Sequence, residues 1–276
     1  MMRESFPPLK SLSQNFLRNG AVAENLVKKI PLSKDDAVVE LGAGRGAITF
    51  LLADRVSKIA AVEIDAGHSS ELKSKVLESG RTNIEVIHSD LMKTDWSEWG
   101  EILQVPFIVV GNLPYHISTP ILFKIIENRS LLKAAYVMLQ KEVANRLLGL
   151  PGTKEYGVLT VLIGHYARIR SLMVLGPGSF FPKPRVSSAF VELLFKADGS
   201  PPLRDEGLFR WVVRTAFGQR RKQIKNALTA PGRFDPEMIA KALELTRIDS
   251  QSRGEILTDV QFIELANNLD SLTQNI

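Results

Sequence analysis

The chain of 276 residues contains no cysteine, which excludes disulfide bonds and zinc sites built from thiolate ligands. Its four histidines, His68, His88, His116 and His165, are scattered without the spacing of metal ligands, so the sequence predicts no metal site. No apolar run approaches the roughly 20 residues that span a membrane. The N-terminal residues up to Leu17 lack the apolar segment of a secretory signal. We therefore expect a protein of the cytoplasm that binds neither metal nor membrane.

Acidic residues are scarce in one part of the chain. Residues 201–233 carry 8 basic and 2 acidic side chains, whereas residues 234–276 carry 3 basic and 8 acidic ones. A basic helix is predicted over 219–228, and a longer continuous helix would be interrupted only by Gly218. The basic side chains that would share one face of that longer helix are Arg210, Arg214, Arg221 and Lys225. Such a face can contact an anionic partner such as nucleic acid, and an ordinary solvated surface is the alternative.

Short apolar segments alternate with helical segments between about residue 20 and residue 165, which indicates an α/β fold. The predicted strands are 37–41, 58–64, 84–88, 107–111 and 134–139. The predicted helices between them are 46–53, 68–77 and 119–127. Two further strand segments, 167–174 and 186–195, are expected to form an antiparallel pair at a sheet edge.

The clearest linker signal is the segment 198–202, which reads Asp-Gly-Ser-Pro-Pro. Beyond it, apolar residues recur only with helical spacing. The sequence therefore predicts two domains, an α/β sheet domain over residues 1–198 and a smaller all-helical domain over residues 203–276.

The most informative stretch is Asn112-Leu113-Pro114-Tyr115, which follows the strand segment 107–111. Pro114 fixes its own φ and keeps Leu113 out of the helical region, so the backbone beyond the strand is stiff and extended. The Asn112 amide can accept a hydrogen bond from an exocyclic amine, and Tyr115 offers a flat ring on which a base can stack. These residues favour a site where a nucleobase amine is methylated, and an ordinary strand-to-loop turn is the alternative.

A glycine-rich turn follows the first predicted strand in Glu40-Leu41-Gly42-Ala43-Gly44-Arg45-Gly46. Glycines let the backbone approach a bound nucleoside closely. Glu63 stands at the end of the second strand, where an acid can bind ribose hydroxyls, and Asp90 follows the third strand. The glycine spacing alone also fits a nicotinamide dehydrogenase, which remains an alternative on these residues.

Glu40 just before the glycines and Asp90 after the third strand together resemble class I methyltransferases, which have a Rossmann-like sheet and use S-adenosylmethionine. In those enzymes the acid on the second strand holds the ribose, and the acid after the third strand lies near the adenine amine. The resemblance therefore implies S-adenosylmethionine as the cofactor. This ligand has no pyrophosphate and so has less need of a helix dipole than a dinucleotide does.

The four strand ends define a crevice at the carboxyl edge of the sheet, where open α/β sheets bind ligands. Hydrogen bonds from an adenine amine to the Asn112 side chain and the Leu113 carbonyl would favour a pyramidal nitrogen whose lone pair points at the methyl donor. Tyr115 would stack on the base. Because a base in this pocket must be unpaired and unstacked, we expect single-stranded or loop nucleic acid as substrate.

Further motifs resemble the small-subunit ribosomal RNA dimethyladenosine transferase family, the KsgA type, over nearly the whole chain. Besides the glycine turn and residues 111–115, the matching segments are 13–17 (Ser-Gln-Asn-Phe-Leu), 140–143 with Arg146, Tyr156-Gly157, 180–186 (Phe-Phe-Pro-Lys-Pro-Arg-Val) and Arg220-Arg221-Lys222. The one departure is Ser13, which stands where the family usually has glycine.

The resemblance implies a set of site residues. Cofactor contacts are expected from Gln14, Asn15, Leu17, Gly42, Gly44, Glu63, Ile64, Asp90, Leu91 and Asn112. Catalytic roles fall to Asn112, Leu113, Tyr115 and Phe180. Phe180 would cover the target base opposite Tyr115, and its neighbour Phe181 is the other candidate for that contact. RNA contacts are expected from Arg220, Arg221, Lys222 and Lys225.

The family transfers four methyl groups to the amines of two adjacent adenosines in a hairpin loop near the 3′ end of 16S small-subunit RNA. We therefore expect an rRNA adenine dimethyltransferase that acts as a monomer on a precursor of the small ribosomal subunit. The closest alternative is a 23S rRNA adenine N6-methyltransferase of the macrolide-resistance type, although the basic segment and the full-size C-terminal domain favour the small subunit. An alternative of another class is an assembly factor, whose main role is to bind the maturing small subunit and which uses catalysis mainly to leave it.

Overall fold

The computed structural model describes residues 15–104, 106–196 and 202–274. These residues form two compact units. The first unit contains the described residues up to Ala144 together with Ile169–Phe195, and the second contains Asn145–Arg168 together with the described residues from Lys196 onward. The segment Asn145–Arg168 was predicted within the first domain, 1–198, whereas it packs with the second unit.

The strands in the described part of the chain are β1 Phe16–Leu17, β2 Ala37–Leu41, β3 Lys58–Glu63, β4 Ile84–His88, β5 Phe107–Asn112, β6 Leu132–Gln140, β7 Ala167–Leu175, β8 Phe180–Phe181 and β9 Ser188–Phe195. Seven of them form one sheet in the order β4-β3-β2-β5-β6-β9-β7. Strands β2 to β6 pair in parallel, and β9 pairs antiparallel with β6. The predicted α/β class with a Rossmann-like, mostly parallel sheet is thus confirmed.

All predicted strands are present, because each is a local apolar run closed by a turn. Segments 37–41 and 84–88 have the predicted bounds, and the other strands deviate by two residues at most. The two segments expected at a sheet edge, β7 and β9, are neighbours, with β7 outermost. Every residue of the central strand β2 is buried, as expected for a parallel strand covered on both faces.

The helices that begin in the first unit are α1 Gly20–Lys28, α2 Thr49–Ala53, α3 Ala66–Ser79, α4 Ser97–Leu103, α5 Ser118–Glu127 and α6 Lys141–Leu147. Helix α3 has well-defined ends. The Asp65 side chain accepts a hydrogen bond from the backbone N–H of His68 at 2.8 Å, and Gly80 ends the helix with a φ of 66°. This start shortly after β3 places Glu63, the last residue of the strand, next to the N-terminus of the helix.

A separate two-stranded ladder joins β1 to β8 in the first unit. Its register pairs Phe16 with Phe181 and Leu17 with Phe180. Directly paired residues of an antiparallel ladder extend their side chains to the same face. Phe16 and Phe181 therefore share one face of the ladder, and Leu17 and Phe180 share the other.

The helices wholly within the second unit are α7 Val158–Tyr166, α8 Glu206–Gly218, α9 Ile224–Thr229, α10 Pro236–Leu245 and α11 Asp259–Gln274. Helix α7 packs against α8 and α11, which explains why the segment before β7 belongs to this unit. Beyond residue 201 the described residues contain helices and turns with no strand longer than an isolated bridge, as the helical spacing predicted.

The predicted basic helix over 219–228 is wrong. Helix α8 ends at Gly218 and α9 begins only at Ile224, so Arg220, Arg221 and Lys222 lie in a turn. The chain is extended at Gln223, which forms a bridge to Arg253. Backbone pairing with a distant segment thus outweighs the helical preference of a short basic stretch.

Within the described residues, no helix is both long and apolar enough to cross a membrane. The same part of the chain holds no group of three or more His, Asp or Glu side chains that could bind a metal ion.

Candidate active site

A cavity of about 260 Å³ opens at the carboxyl ends of β2, β3, β4 and β5 in the first unit. Its walls are formed by Asn15, Phe16, Gly42, Val62, Glu63, Ile64, Asp90, Leu91, Met92, Asn112, Leu113, Pro114, Tyr115, His116 and Ile117. Carboxyl ends of neighbouring parallel strands meet at one edge of a sheet, which is why residues far apart in sequence converge here. Nine of the wall residues were predicted as site residues.

The Glu63 carboxylate, at the end of β3, is hydrogen-bonded to the glycine turn that follows β2. Glu63 is 3% exposed, and one of its oxygens accepts a hydrogen bond from the backbone N–H of Gly44 at 2.7 Å. The other oxygen accepts one from the backbone N–H of Asp65 at 2.9 Å. A carboxylate has about four acceptor positions, so both oxygens keep capacity for hydroxyl donors in the cavity. The geometry suits a ribose diol.

Gly44 has a φ of 55°, in the left-handed region that favours glycine. A Cβ at this position would lie 2.8 Å from the ring of Phe16. Gly44 is therefore not a wall residue itself, but its missing side chain gives room to the wall residue Phe16. The Phe16 ring also makes an edge-on contact with the buried ring of His68, with 5.1 Å between centroids.

Glu40 lies buried on β2 behind the glycine turn, where its carboxylate accepts a hydrogen bond from the Thr49 hydroxyl at 2.6 Å. Burial, followed by the nearby Glu63 charge, raises the pKa of Glu40 to about 8 against the lowering effect of the Thr49 bond. At neutral pH Glu40 is thus mainly protonated. The negative charge beside the glycine turn belongs to Glu63.

Asp90 and its neighbours form the next part of the wall. The half-buried Asp90 accepts a hydrogen bond from the backbone N–H of Met92 at 2.9 Å, which holds its carboxylate in the turn after β4. Leu91 is buried, whereas Ile64 is 43% exposed and presents an apolar surface. An acid next to apolar side chains can bind the amine and the ring of a purine.

Asn112 has one fixed orientation. Its side-chain Nδ2 donates to the backbone carbonyl of Asn15 at 2.7 Å. Because a carbonyl only accepts hydrogen bonds, this contact assigns Nδ2 to the Asn15 side and turns Oδ1 away from it. Asn112 therefore offers an acceptor for an amine, in a position set by a residue 97 positions away in the sequence.

Tyr115 is anchored by its hydroxyl, which forms a 2.7 Å hydrogen bond with the hydroxyl of Ser188 on β9. The bond holds the outer end of the ring in place, and burial raises the pKa of Tyr115 above its ordinary value. Leu113 is buried, and its backbone N–H donates to the carbonyl of Met138 at 3.3 Å. The Asn-Leu-Pro-Tyr segment is thus held to the sheet on both sides.

Of the predicted cofactor and catalytic residues that the structure describes, three are not on the cavity wall: Leu17, Gly44 and Phe180. Leu17 and Phe180 occupy the face of the β1–β8 ladder opposite Phe16 and pack into the apolar core, where Phe180 is 2% exposed. Phe181 is 44% exposed and shares the face of the wall residue Phe16. Gly44 acts through Phe16, as described above. Gln14 lies outside the described residues.

The wall residues that sequence reasoning missed are Phe16, Val62, Met92, Pro114, His116 and Ile117. All six directly adjoin a predicted site residue or follow the Tyr115 motif within two positions. Phe16 stood inside the matching segment 13–17, between the predicted Asn15 and Leu17. Because a strand puts alternate residues on opposite faces, Asn15 on the wall would favour Leu17 over Phe16, so the sequence offered no signal for this exchange.

The four predicted RNA contacts in the second unit differ in their surroundings. The Arg220 guanidinium lies 3.4 Å from the Glu255 carboxylate and 3.4–3.5 Å from the carbonyl oxygens of Lys154 and Tyr156. Arg221 and Lys222 are exposed and Lys225 is half-buried, and none of these three forms an ion pair with a described residue. Their charges, unlike that of Arg220, remain available to an external anion.

The model of the family "Ribosomal RNA adenine dimethylase" matches residues 9–265. A relative named ribosomal RNA small subunit methyltransferase A, from Syntrophus aciditrophicus, is 38% identical over 265 residues, which cover 95% of this chain and 94% of the relative. The crystal structure of a dimethyladenosine transferase from Plasmodium falciparum has a TM-score of 0.81 and 25% identity, and covers 95% of this chain and 98% of that one. The crystal structure of the 23S rRNA methyltransferase ErmE has a TM-score of 0.68 and 26% identity, with coverage of 93% and 100%. The chain belongs to the ribosomal RNA adenine dimethylase family.

Proposed function

We propose that this protein transfers methyl groups from S-adenosylmethionine to the N6 amines of two adjacent adenosines in a hairpin loop near the 3′ end of 16S rRNA. The observation that carries the proposal is the oriented Asn112 amide, which shares one cavity with Tyr115 and the acids Glu63 and Asp90. The small-subunit choice is supported by the relative that is 38% identical over nearly the whole of both chains.

The cavity residues fit S-adenosylmethionine. The cavity volume of about 260 Å³ lies just below the roughly 300–1,000 Å³ of typical small-molecule sites, which suits a nucleoside-sized ligand. Glu63 would accept hydrogen bonds from the ribose hydroxyls, Asp90 would accept one from the adenine amine, and Ile64 and Leu91 would contact the ring. Asn15 and Gly42 would border the remainder. The bound cofactor would supply an electrophilic methyl group on a sulfonium.

The chain's own residues then orient the acceptor base. Asn112 Oδ1 and the Leu113 carbonyl accept hydrogen bonds from the N6 amine, which favours the pyramidal nitrogen needed for attack. The Tyr115 ring, whose hydroxyl is held by Ser188, stacks on the base. The amine loses its proton readily after methylation, because it then carries a positive charge. Positioning and hydrogen bonding supply the rate gain.

The second wall of the base pocket comes from the Phe180–Phe181 pair. We assigned this contact to Phe180 by resemblance, but the ladder register favours Phe181, which shares a face with Phe16. Replacing each ring separately by leucine discriminates between them. Replacing the ring that stacks on RNA should raise KM or lower kcat without a loss of thermal stability. Replacing the ring that packs in the core should lower the melting temperature.

RNA contacts outside the pocket are proposed for Arg221, Lys222 and Lys225, whose charges are not used within the described structure. Each phosphate contact adds to the salt dependence of binding. The proposed partner is a precursor of the small ribosomal subunit, which the protein would bind as a monomer. The reaction would take place in the cytoplasm, where that precursor matures.

The test is methyl transfer to two purified substrates. Under-methylated small subunits and large-subunit RNA are incubated separately with the protein and labelled S-adenosylmethionine, and methylated adenosines are mapped by mass spectrometry. We expect two adjacent dimethyladenosines in the small-subunit RNA. Label only in the large-subunit RNA would replace the proposal by the 23S activity, for which the likeness to ErmE provides the basis.

A further inference from the structure

A cluster of two aromatic rings and one guanidinium lies on the second unit, apart from every motif used above. The Cζ of Arg233 lies 5.1 Å from the centroid of the Trp211 ring and 5.4 Å from that of Phe234. The two rings meet edge to face, with 5.4 Å between centroids and 74° between planes. We name Trp211, Arg233 and Phe234 the Trp–Arg cluster.

The backbone holds this cluster in place from both sides. Gly232 has a φ of 70° and turns the chain after α9, so that Arg233 and Phe234 lie against α8. Helix α10 begins at Pro236, with Asp235 as its N-cap residue. The two residues that contact Trp211 are thus confined between a left-handed glycine and a proline-initiated helix. A surface prepared in this way loses little conformational entropy on binding.

The Arg233 guanidinium contacts two aromatic rings but has no carboxylate partner among the described residues. The residue is exposed, and none of the ion pairs among the described residues includes it. Two other arginines of this unit differ, since Arg220 pairs with Glu255 and Arg210 with Glu206. A guanidinium stacked on aromatic rings presents a flat cationic surface, on which a nucleobase can stack and which a phosphate can approach.

The cluster continues the basic surface proposed for RNA. Helix α8 buries its apolar face, and Trp211, Arg214 and Gly218 follow one another on the remaining side at spacings of three and four residues. Arg221 and Lys222 lie in the turn that follows, three and four residues after the end of this helix at Gly218. Trp211 is therefore followed along the chain by basic side chains, a composition typical of surfaces that bind single-stranded nucleic acid.

We propose that the Trp–Arg cluster is a stacking site for an unpaired nucleotide of the RNA substrate, separate from the methyl-transfer cavity. That the ligand is RNA rests on the proposed function. The guanidinium of Arg233 stacks on the base and contacts its phosphate, while Trp211 and Phe234 hold it in position. The site increases affinity for the substrate and takes no part in the chemistry.

The fluorescence of Trp211 tests this directly. The other tryptophans, Trp96 and Trp99, are 0% and 1% exposed, so a stacked base can quench only Trp211. The full-length protein is titrated with single-stranded oligoadenylate of about ten nucleotides. We expect quenching in the wild type and none in Trp211→Phe, which keeps a ring beneath Arg233. An unchanged emission of the wild type at saturating RNA would overturn the proposal.

Two substitutions of Arg233 separate stacking from charge. Arg233→Ala should weaken RNA binding about tenfold and reduce the salt slope by about one, and Arg233→Lys should weaken binding while the salt slope is kept. The matched control is Lys241→Ala, which removes one exposed positive charge that already pairs with Glu244 at 2.8 Å. If Arg233→Ala binds RNA as tightly as Lys241→Ala does, the site does not exist.

Methyl transfer to under-methylated small subunits distinguishes this proposal from the proposed function. We expect Arg233→Ala to raise KM about tenfold with kcat unchanged. A wild type that transfers no methyl to small subunits contradicts the proposed function, while RNA quenching of Trp211 still supports the site. A wild type that methylates, with an Arg233→Ala variant of unchanged KM, refutes the site alone.

Discussion

Asn112 provides the sharpest test of the active site, because the two ends of its amide have separate partners in the proposed mechanism. Nδ2 donates to the Asn15 carbonyl at 2.7 Å, and Oδ1 is the acceptor proposed for the substrate amine. Asn112→Ala removes both groups. A preorganised hydrogen bond that acts in the transition state contributes about 10²–10³ in kcat. We therefore expect kcat to fall by that factor while subunit binding, which depends on the basic surface, is retained.

Asn112→Asp separates the two tasks. The carboxylate keeps an acceptor for the amine but places an oxygen against the Asn15 carbonyl, where a donor was present. An unsatisfied, opposed pair of acceptors costs about 1–3 kcal/mol. Since Asn15 borders the proposed cofactor region of the cavity, we expect cofactor affinity to fall about tenfold, by the lower part of that cost, and kcat to fall less than in Asn112→Ala.

The assay is the single-turnover rate of methyl transfer to under-methylated small subunits with saturating labelled cofactor. Subunit binding by sedimentation and cofactor binding by calorimetry are measured on the same variants. Asn25→Ala, an exposed change on α1, is the matched control. An Asn112→Ala enzyme within about fivefold of the wild-type rate would refute the role of Oδ1, because so small an effect, about 1 kcal/mol, is an ordinary packing loss. Retained binding without transfer would also separate assembly from chemistry.

Three other outcomes follow from buried or paired groups. Glu40→Gln should become more stable relative to wild type as pH rises from 4.5 to 8, by about 3–5 kcal/mol in total. Between these values, the ordinary pKa of a glutamate and that of Glu40 in the folded protein, the folded wild type holds an extra proton, so its stability falls with pH. Urea unfolding at several pH values measures this, and a pH-independent difference between the two proteins would contradict the raised pKa of Glu40. Gly46→Ala should cost about 2–4 kcal/mol, because φ is 83° and the new methyl would lie 2.7 Å from a leucine carbon. Its control Gly164→Ala, in a helix with open space, should gain about 0.5–1 kcal/mol, and equal melting temperatures of the two variants would count against the geometry. Arg220→Ala should lower the melting temperature through its lost internal contacts, whereas Arg221→Ala should leave it unchanged and reduce the salt slope of RNA binding by about one; the reverse pattern would exchange their roles.

Local patterns were sufficient for much of the fold. The strands 37–41 and 84–88 could be predicted to the residue, because an apolar run followed by a turn is information contained in a few neighbouring residues. The convergence of Glu63, Asp90 and Asn112 was also predictable, since carboxyl ends of parallel strands always meet at one edge. By contrast, the helix predicted over 219–228 failed, because a bridge from Gln223 to Arg253 depends on a segment about thirty residues further along.

The sites of individual side chains were less predictable for the same reason. Phe180 and Phe181 are adjacent and chemically identical, and only the pairing of β8 with β1 decides which ring enters the core. Arg220 and Arg221 are likewise adjacent, and only the position of Glu255 decides which charge is used internally. Sequence spacing cannot distinguish such neighbours, because the difference lies in their partners.

The amino-acid sequence by itself determined the α/β class, the strands of the sheet and the residue types at the strand ends that line the cavity. These properties follow from residue type and short-range periodicity, which act on every chain in the same way. The tertiary structure alone decided the orientation of the Asn112 amide, the raised pKa of Glu40, the face of each phenylalanine and the position of Arg233 on Trp211. Each of these depends on a contact or a burial that arises only when distant segments pack together.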